Sequence, residues 1–152
     1  QVVKSVETSK EWPENLGVGK PYDNMIDNRL EDYLEAKAAA GQGDSRKTSA
    51  LLAAVADYTI SRSHFESGNL LSALALRESG KVQEADHMVA AWSTDFPENR
   101  VVQWCTAIYR GEKEKAVGML QSRNDQTNTT PWEASFRDSN FDLIVRLFST
   151  EQ

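Results

Sequence analysis

Three carboxylates, Glu31, Asp32 and Glu35, fall close together on one predicted helix. Two carboxyl groups in unequal surroundings can divide acid and base roles between them. Here the spacing spreads them around the helix, so they read as a solvated face. His64 and His87 are the two imidazoles of the chain. Glu84-Ala85-Asp86-His87 offers one imidazole where a helical zinc site needs two, one turn apart. Both histidines are expected at the surface or at the edge of the core. Gly17-Val18-Gly19-Lys20 has the G-x-G-K of a phosphate-cradling loop, without its full spacing or the hydroxyl after the lysine. It reads as plain loop. Cys105 falls on an apolar stripe with Val101 and Ile108, and no base is placed by the sequence to draw off its proton. Asn128-Thr129-Thr130 fits a glycosylation acceptor, which has meaning only in a secretory compartment. No catalytic set, metal site or cofactor is expected.

The 152 residues suit one domain. A chain of this size buries roughly 70% of its unfolded surface, enough for a core without staples. The net charge of −6 argues against nucleic acid or an anionic membrane as the main partner, since both demand clustered cations. A single cysteine allows no intrachain disulfide and leaves the compartment open. No apolar run approaches the roughly 20 residues of a membrane span.

The elements that would position any site are organised around Leu70 to Trp92. Upstream of Gly80, Leu70, Ala73, Leu74 and Leu76 recur at helical spacing. Downstream, Val82, Ala85, Met88, Val89 and Trp92 do the same. Gly80 stands where a helix end calls for a left-handed residue, so the stretch reads as helix, tight turn, antiparallel helix. Asn28 and Glu31 have the spacing of a capping box for an earlier helix that runs to about Ala40, with Leu30, Tyr33, Leu34 and Ala38 on one side. After the break at Gly41–Asp44 a second helix runs to about Ile60 and buries Leu51, Leu52, Val55 and Thr59. Ser63 and Glu66 have box spacing before the central pair. Asn99 can cap a fifth helix with Val101, Trp104, Cys105 and Ile108 as its stripe; Ala116, Met119 and Leu120 mark a sixth. Ser122 to Thr129 reads as loop, and Thr130-Pro131-Trp132-Glu133 as a helix start. Phe141, Ile144, Val145 and Phe148 make a last amphipathic helix. Trp92 and Trp104 fall at packing positions, Trp12 and Trp132 at turns. Alternating strand patterns are almost missing.

Three breaks align: GDSRKT at Gly43, GKVQEA at Gly80 and GEKEKA at Gly111. Each has a glycine and, five places on, a small residue: Thr48, Ala85 or Ala116. The glycines are 37 and 31 residues apart, bracketing a period of about 34. With Ala73, Gly80, Ala85, Val89, Trp92 and Pro97 at the matching places, the middle unit resembles a tetratricopeptide repeat. The resemblance covers about Asn28 to Ser122. It departs at Asp32, Asn69 and Arg100, where the family has a large residue, and at Trp104, where it has a small one. The stretches ENLGVGKPYDN and LLSALALRESGKVQEA also look like the C-terminal repeat region of uncharacterised bacterial multidomain proteins that carry a galactose-mutarotase-like part.

The resemblance implies an all-α fold, a right-handed superhelix of about three antiparallel helix pairs with a C-terminal cap from about residue 130. Residues 1–22 are expected to be a lead-in and 23–152 the helical domain. Trp12-Pro13-Glu14-Asn15 repeats the pattern of Phe96-Pro97-Glu98-Asn99, so the chain is expected to be the C-terminal piece of a longer protein. Ligands of such repeats lie in the groove lined by first helices, which here involves Tyr33, Lys37, Arg77, Tyr109 and Arg110. The carboxylate-clamping Lys/Asn pattern of some members is not found; Leu70, Leu74 and Cys105 stand at the corresponding positions. The implied role is a protein-interaction or scaffolding module that binds a protein, a peptide or an adjacent domain of the same chain. The alternative is an accessory domain that supports a carbohydrate-active enzyme domain.

Overall fold

The computed structural model describes residues 27–60, 65–125 and 140–149. Among these are seven helices and no strand: α1 (Arg29–Gly41), α2 (Ser45–Ile60), α3 (Gly68–Glu78), α4 (Val82–Asp95), α5 (Arg100–Tyr109), α6 (Lys113–Asp125) and α7 (Phe141–Ser149). None is long and apolar enough to cross a membrane. The expected lead-in at 1–22, the residues Ser63 and His64, and the start signal at Thr130 lie outside the described residues.

The three aligned breaks share one hydrogen-bonded closure. Gly43, Gly80 and Gly111 have φ of 78°, 82° and 74°. Each glycine N–H donates to the carbonyl three residues back, on Ala40, Arg77 and Ile108, at 3.0, 3.1 and 3.0 Å. The next N–H reaches five residues back, to Ala39, Leu76 and Ala107, at 3.0, 2.9 and 2.8 Å. This is a Schellman closure, which needs a left-handed residue at the glycine position. The residue after each glycine also opens the following helix. The carbonyls of Asp44, Lys81 and Glu112 accept from Thr48, Ala85 and Ala116 at 3.0, 3.1 and 3.1 Å. Asp44 adds a side-chain cap, its Oδ1 accepting from the Lys47 N–H at 3.0 Å. One residue therefore ends one helix and begins the next, which keeps the hairpins tight.

The hairpins α1/α2, α3/α4 and α5/α6 lie side by side in chain order. Packing joins α2 to α3 and α4 to α5, and the first helices touch directly, α1 with α3 and α3 with α5. α3 is the hub. Every residue from Gly68 to Leu76 is buried, because α3 packs against α1, α2, α4 and α5. Ser72 Oγ donates to the Val55 carbonyl at 2.7 Å and ties the hub to α2. Ala36 and Ala73, at matching distances from their glycines, are 1% and 0% exposed. In the third hairpin that place belongs to Trp104, which is buried edge-on against Phe141 of α7, with ring centroids 5.4 Å apart. α7 also buries Ile144. The Trp104 indole N–H has no hydrogen-bond partner among the described residues. An unmet donor costs about 1–3 kcal/mol, which the large apolar area of a buried tryptophan offsets.

Several details differ from the sequence reading. Asn28 makes no side-chain cap. Asp27, one residue earlier, accepts the Arg29 N–H at 3.1 Å instead. Val82, expected on the apolar stripe, is 45% exposed, because as the first residue of α4 it stands at the hairpin tip. α6 runs through Asp125, so Ser122 to Asp125 are helical rather than loop. Asn99 caps α5 as expected, its Oδ1 accepting from Val101 and Val102 at 2.9 and 3.2 Å.

Beside Asn69, one of the positions where the family has a large residue, the chain has a buried cation. The Arg29 side chain is 2% exposed. Its Nε and Nη2 donate to Asp27 at 2.8 Å each, Nη1 to Asn69 Oδ1 at 2.6 Å and Nη2 to Glu66 at 2.5 Å. The guanidinium lies 4.6 Å from the centre of the Tyr58 ring. Burial alone would lower its pKa, but the hydrogen bond and charge of Asp27 and the charge of Glu66 raise it. Arg29 thus pins the starts of α1 and α3 to the end of α2. Gly68 leaves it room: a Cβ there would stand 2.6 Å from Arg29 Cζ.

Two stability measurements check this account. Gly80→Ala is expected to destabilise the protein by about 1–2 kcal/mol, because alanine resists positive φ, while Gly41→Ala, in open space at ordinary helical φ, leaves the urea midpoint unchanged or raised. Gly68→Ala is expected to cost about 2 kcal/mol alone and under half of that in an Arg29→Ala background, since the nearest atoms its methyl meets belong to the guanidinium. Additivity of the two changes contradicts that reading.

Candidate functional site

Of the five residues expected in a groove, four fall into two clusters, joined where Arg77 and Glu78 end the hub helix. In the first, the Tyr33 hydroxyl donates to Glu78 Oε1 at 2.7 Å, and Lys37 Nζ reaches the same oxygen at 3.3 Å. Lys37 also stands 5.9 Å from the centre of the Tyr33 ring. A tyrosine and a lysine one helical turn apart on α1 therefore converge on one carboxylate of α3. Tyr33 is buried by this packing and Lys37 is exposed.

In the second cluster the Arg77 guanidinium lies over the Tyr109 ring, 4.8 Å from its centre, and Nη1 donates to the Tyr109 carbonyl at 2.9 Å. That carbonyl sits near the C-terminal end of α5, where a cation is favoured. The Tyr109 hydroxyl runs the other way and donates to Asp86 Oδ1 of α4 at 2.8 Å. Burial first, then the hydrogen bond to Asp86 and its charge, push Tyr109 up to about 12; the Arg77 charge works against them. Arg110 follows at the end of α5 and is exposed.

Beside this second cluster is a cleft of about 310 Å³ between the ends of α3, α5 and α7. Leu74, Ile108 and Phe148 supply its apolar surface. Arg77, Arg110 and Lys113 stand around it with Tyr109. No carboxylate lines it among the described residues. The nearest acid in sequence, Glu112, is bound to Lys115 at 2.8 Å, and that hydrogen bond holds its carboxyl below the usual range. Arg110 and Lys113 form no salt bridge among the described residues, and the charge of Arg110 also helps to hold Glu112 down, so the cleft has a positive rim with Glu112 beside it.

Other residues that invited chemistry lie elsewhere. Cys105 is buried on α5. His87 is exposed on α4. Glu35, expected on a solvated face, is buried and paired with Lys47 of α2 at 2.8 Å. No group of three or more metal-ligating side chains gathers among the described residues. Sequence reasoning missed Glu78, Asp86, Lys113 and Phe148. Glu78 and Tyr109 share a register, two residues before the glycine, and that repeat position is the one signal that pointed to Glu78. No family model, curated protein or solved structure matches the chain.

The Tyr109 value gives a pH prediction. A group whose folded pKa lies above its ordinary value of about 10 contributes stability that is complete below that pH. For Tyr109 that contribution is lost as pH rises through about 12. Replacing Asp86 with Asn is expected to bring the Tyr109 ionisation midpoint down towards 10 without reaching it, since burial remains. Carbon-13 NMR of the tyrosine ring reads this directly, and an unmoved midpoint contradicts the assignment.

Proposed function

We propose that the chain is a non-catalytic protein-interaction module of tetratricopeptide-like architecture, with the row of first helices as its binding face. The observation that supports this most is the direct contact of α1 with α3 and of α3 with α5. Hairpins stacked in that way bury their apolar faces against neighbours and leave one extended edge for a partner. The right-handed superhelix belongs to the same proposal, as does the reading of α7 as a cap over Trp104.

Along that edge the polar groups are held in place by one another. Glu78 fixes Tyr33 and Lys37, and Arg77 is stacked on Tyr109. Side chains restrained before binding lose less entropy when a partner arrives. The partner is a protein, a peptide or an adjacent domain of the same protein. The carbohydrate-enzyme alternative rests in part on residues 14–24, which lie outside the described residues, and no observation here favours it.

Affinity capture from a lysate of the source organism tests the proposal, with wild type compared against a Lys37→Ala, Arg77→Ala, Arg110→Ala variant whose helicity and melting temperature are checked. The expectation is one or more proteins retained by wild type and reduced about tenfold or more by the variant. Equal recovery from both, or recovery no better than from bare resin, contradicts it.

A further inference from the structure

We infer that the cleft between α3, α5 and α7 takes an acidic peptide segment in which carboxylates flank one bulky apolar side chain. The inference deepens the interaction reading and rests on it. Three observations carry it together. The cleft, about 310 Å³, is of a size for one or two side chains. Its apolar part comes from three different helices, Leu74 of α3, Ile108 of α5 and Phe148 of α7, so an inserted aliphatic or aromatic group would be surrounded rather than laid on a flat face. Its rim carries Arg77, Arg110 and Lys113, with no carboxylate among the described lining residues.

This local charge is opposite in sign to the chain as a whole, which carries −6. At physiological salt the screening length is about 8 Å. A carboxylate at the rim therefore senses the adjacent cations more than the distant acids. Arg77 is pre-positioned by its stacking on Tyr109 and its bond to the Tyr109 carbonyl, and a planar guanidinium held this way suits a carboxylate. Arg110 and Lys113 make no salt bridge among the described residues, and Glu112, the acid that senses the Arg110 charge, is tied to Lys115 at 2.8 Å. A phosphate-only ligand leaves the apolar surface unused, and a nucleic acid backbone meets the net negative charge elsewhere on the molecule.

The test is fluorescence anisotropy with the whole chain and a labelled, C-terminally amidated octapeptide with glutamates on both sides of a leucine. Comparison peptides exchange the glutamates for lysines, or the leucine for serine. A labelled single-stranded RNA serves as the other macromolecule. The acidic leucine peptide is expected to bind, to weaken with added salt and to weaken about tenfold or more on either exchange. Arg110→Glu with Lys113→Glu is expected to abolish that preference while the melting temperature holds; both side chains are exposed, so the fold tolerates the change. Equal binding of the serine peptide reduces the cleft to a charged patch and overturns the inference. So does preference for RNA, or no binding of the acidic peptide. Binding of the lysine peptide alone overturns the acidic specificity while leaving the interaction module standing.

Discussion

Left-handed glycines decide the shape of this molecule. At Gly43, Gly80 and Gly111 the backbone reverses in a conformation that other residues resist, and the following residue is at once the end of one helix and the beginning of the next. No slack separates the two helices of a hairpin. Each pair therefore presents a fixed apolar face that it cannot cover alone, and the remedy is a neighbouring pair. The hub helix α3 shows the consequence: with helices on several sides, nine consecutive residues from Gly68 to Leu76 are withdrawn from water.

Those constraints also place the polar groups. Because α3 ends at a tight closure, Arg77 and Glu78 in its last turn are held between the flanking first helices. Glu78 turns to Tyr33 and Lys37, and Arg77 to Tyr109. Interlocking of this kind gives these side chains definite positions. An indole stands at the position where the earlier units have alanine, and Phe141 of α7 meets it, with the cleft bounded by α7 through Phe148.

Much of this was legible in the residues. The glycine with a small residue five places on located all three reversals, since both have a steric cause that acts within a few residues. The stripe of Val101, Trp104 and Cys105 identified the buried side of α5 for a similar reason. What could not be read depended on contacts distant in sequence. Asp27 beside Arg29 does not by itself announce burial, because the other partners, Asn69 and Glu66, are 40 and 37 residues away. Glu35 looked solvated until Lys47 arrived from α2. Tyr33 and Tyr109 could be singled out from the repeat, but not the carboxylates that hold their hydroxyls, and the cleft depends on Phe148 from a separate part of the chain. The exposure of Val82 shows the limit of periodicity itself: the stripe continues to the tip of the helix while the packing partner does not.

The central physical claim is that the hairpins pack directly on one another through their first helices. Nuclear Overhauser contacts in the intact protein measure this most directly. The account predicts cross-peaks between the Tyr33 ring and the Glu78 side chain and between the Arg77 side chain and the Tyr109 ring. Contacts confined within each hairpin, with neither of these present, would contradict it.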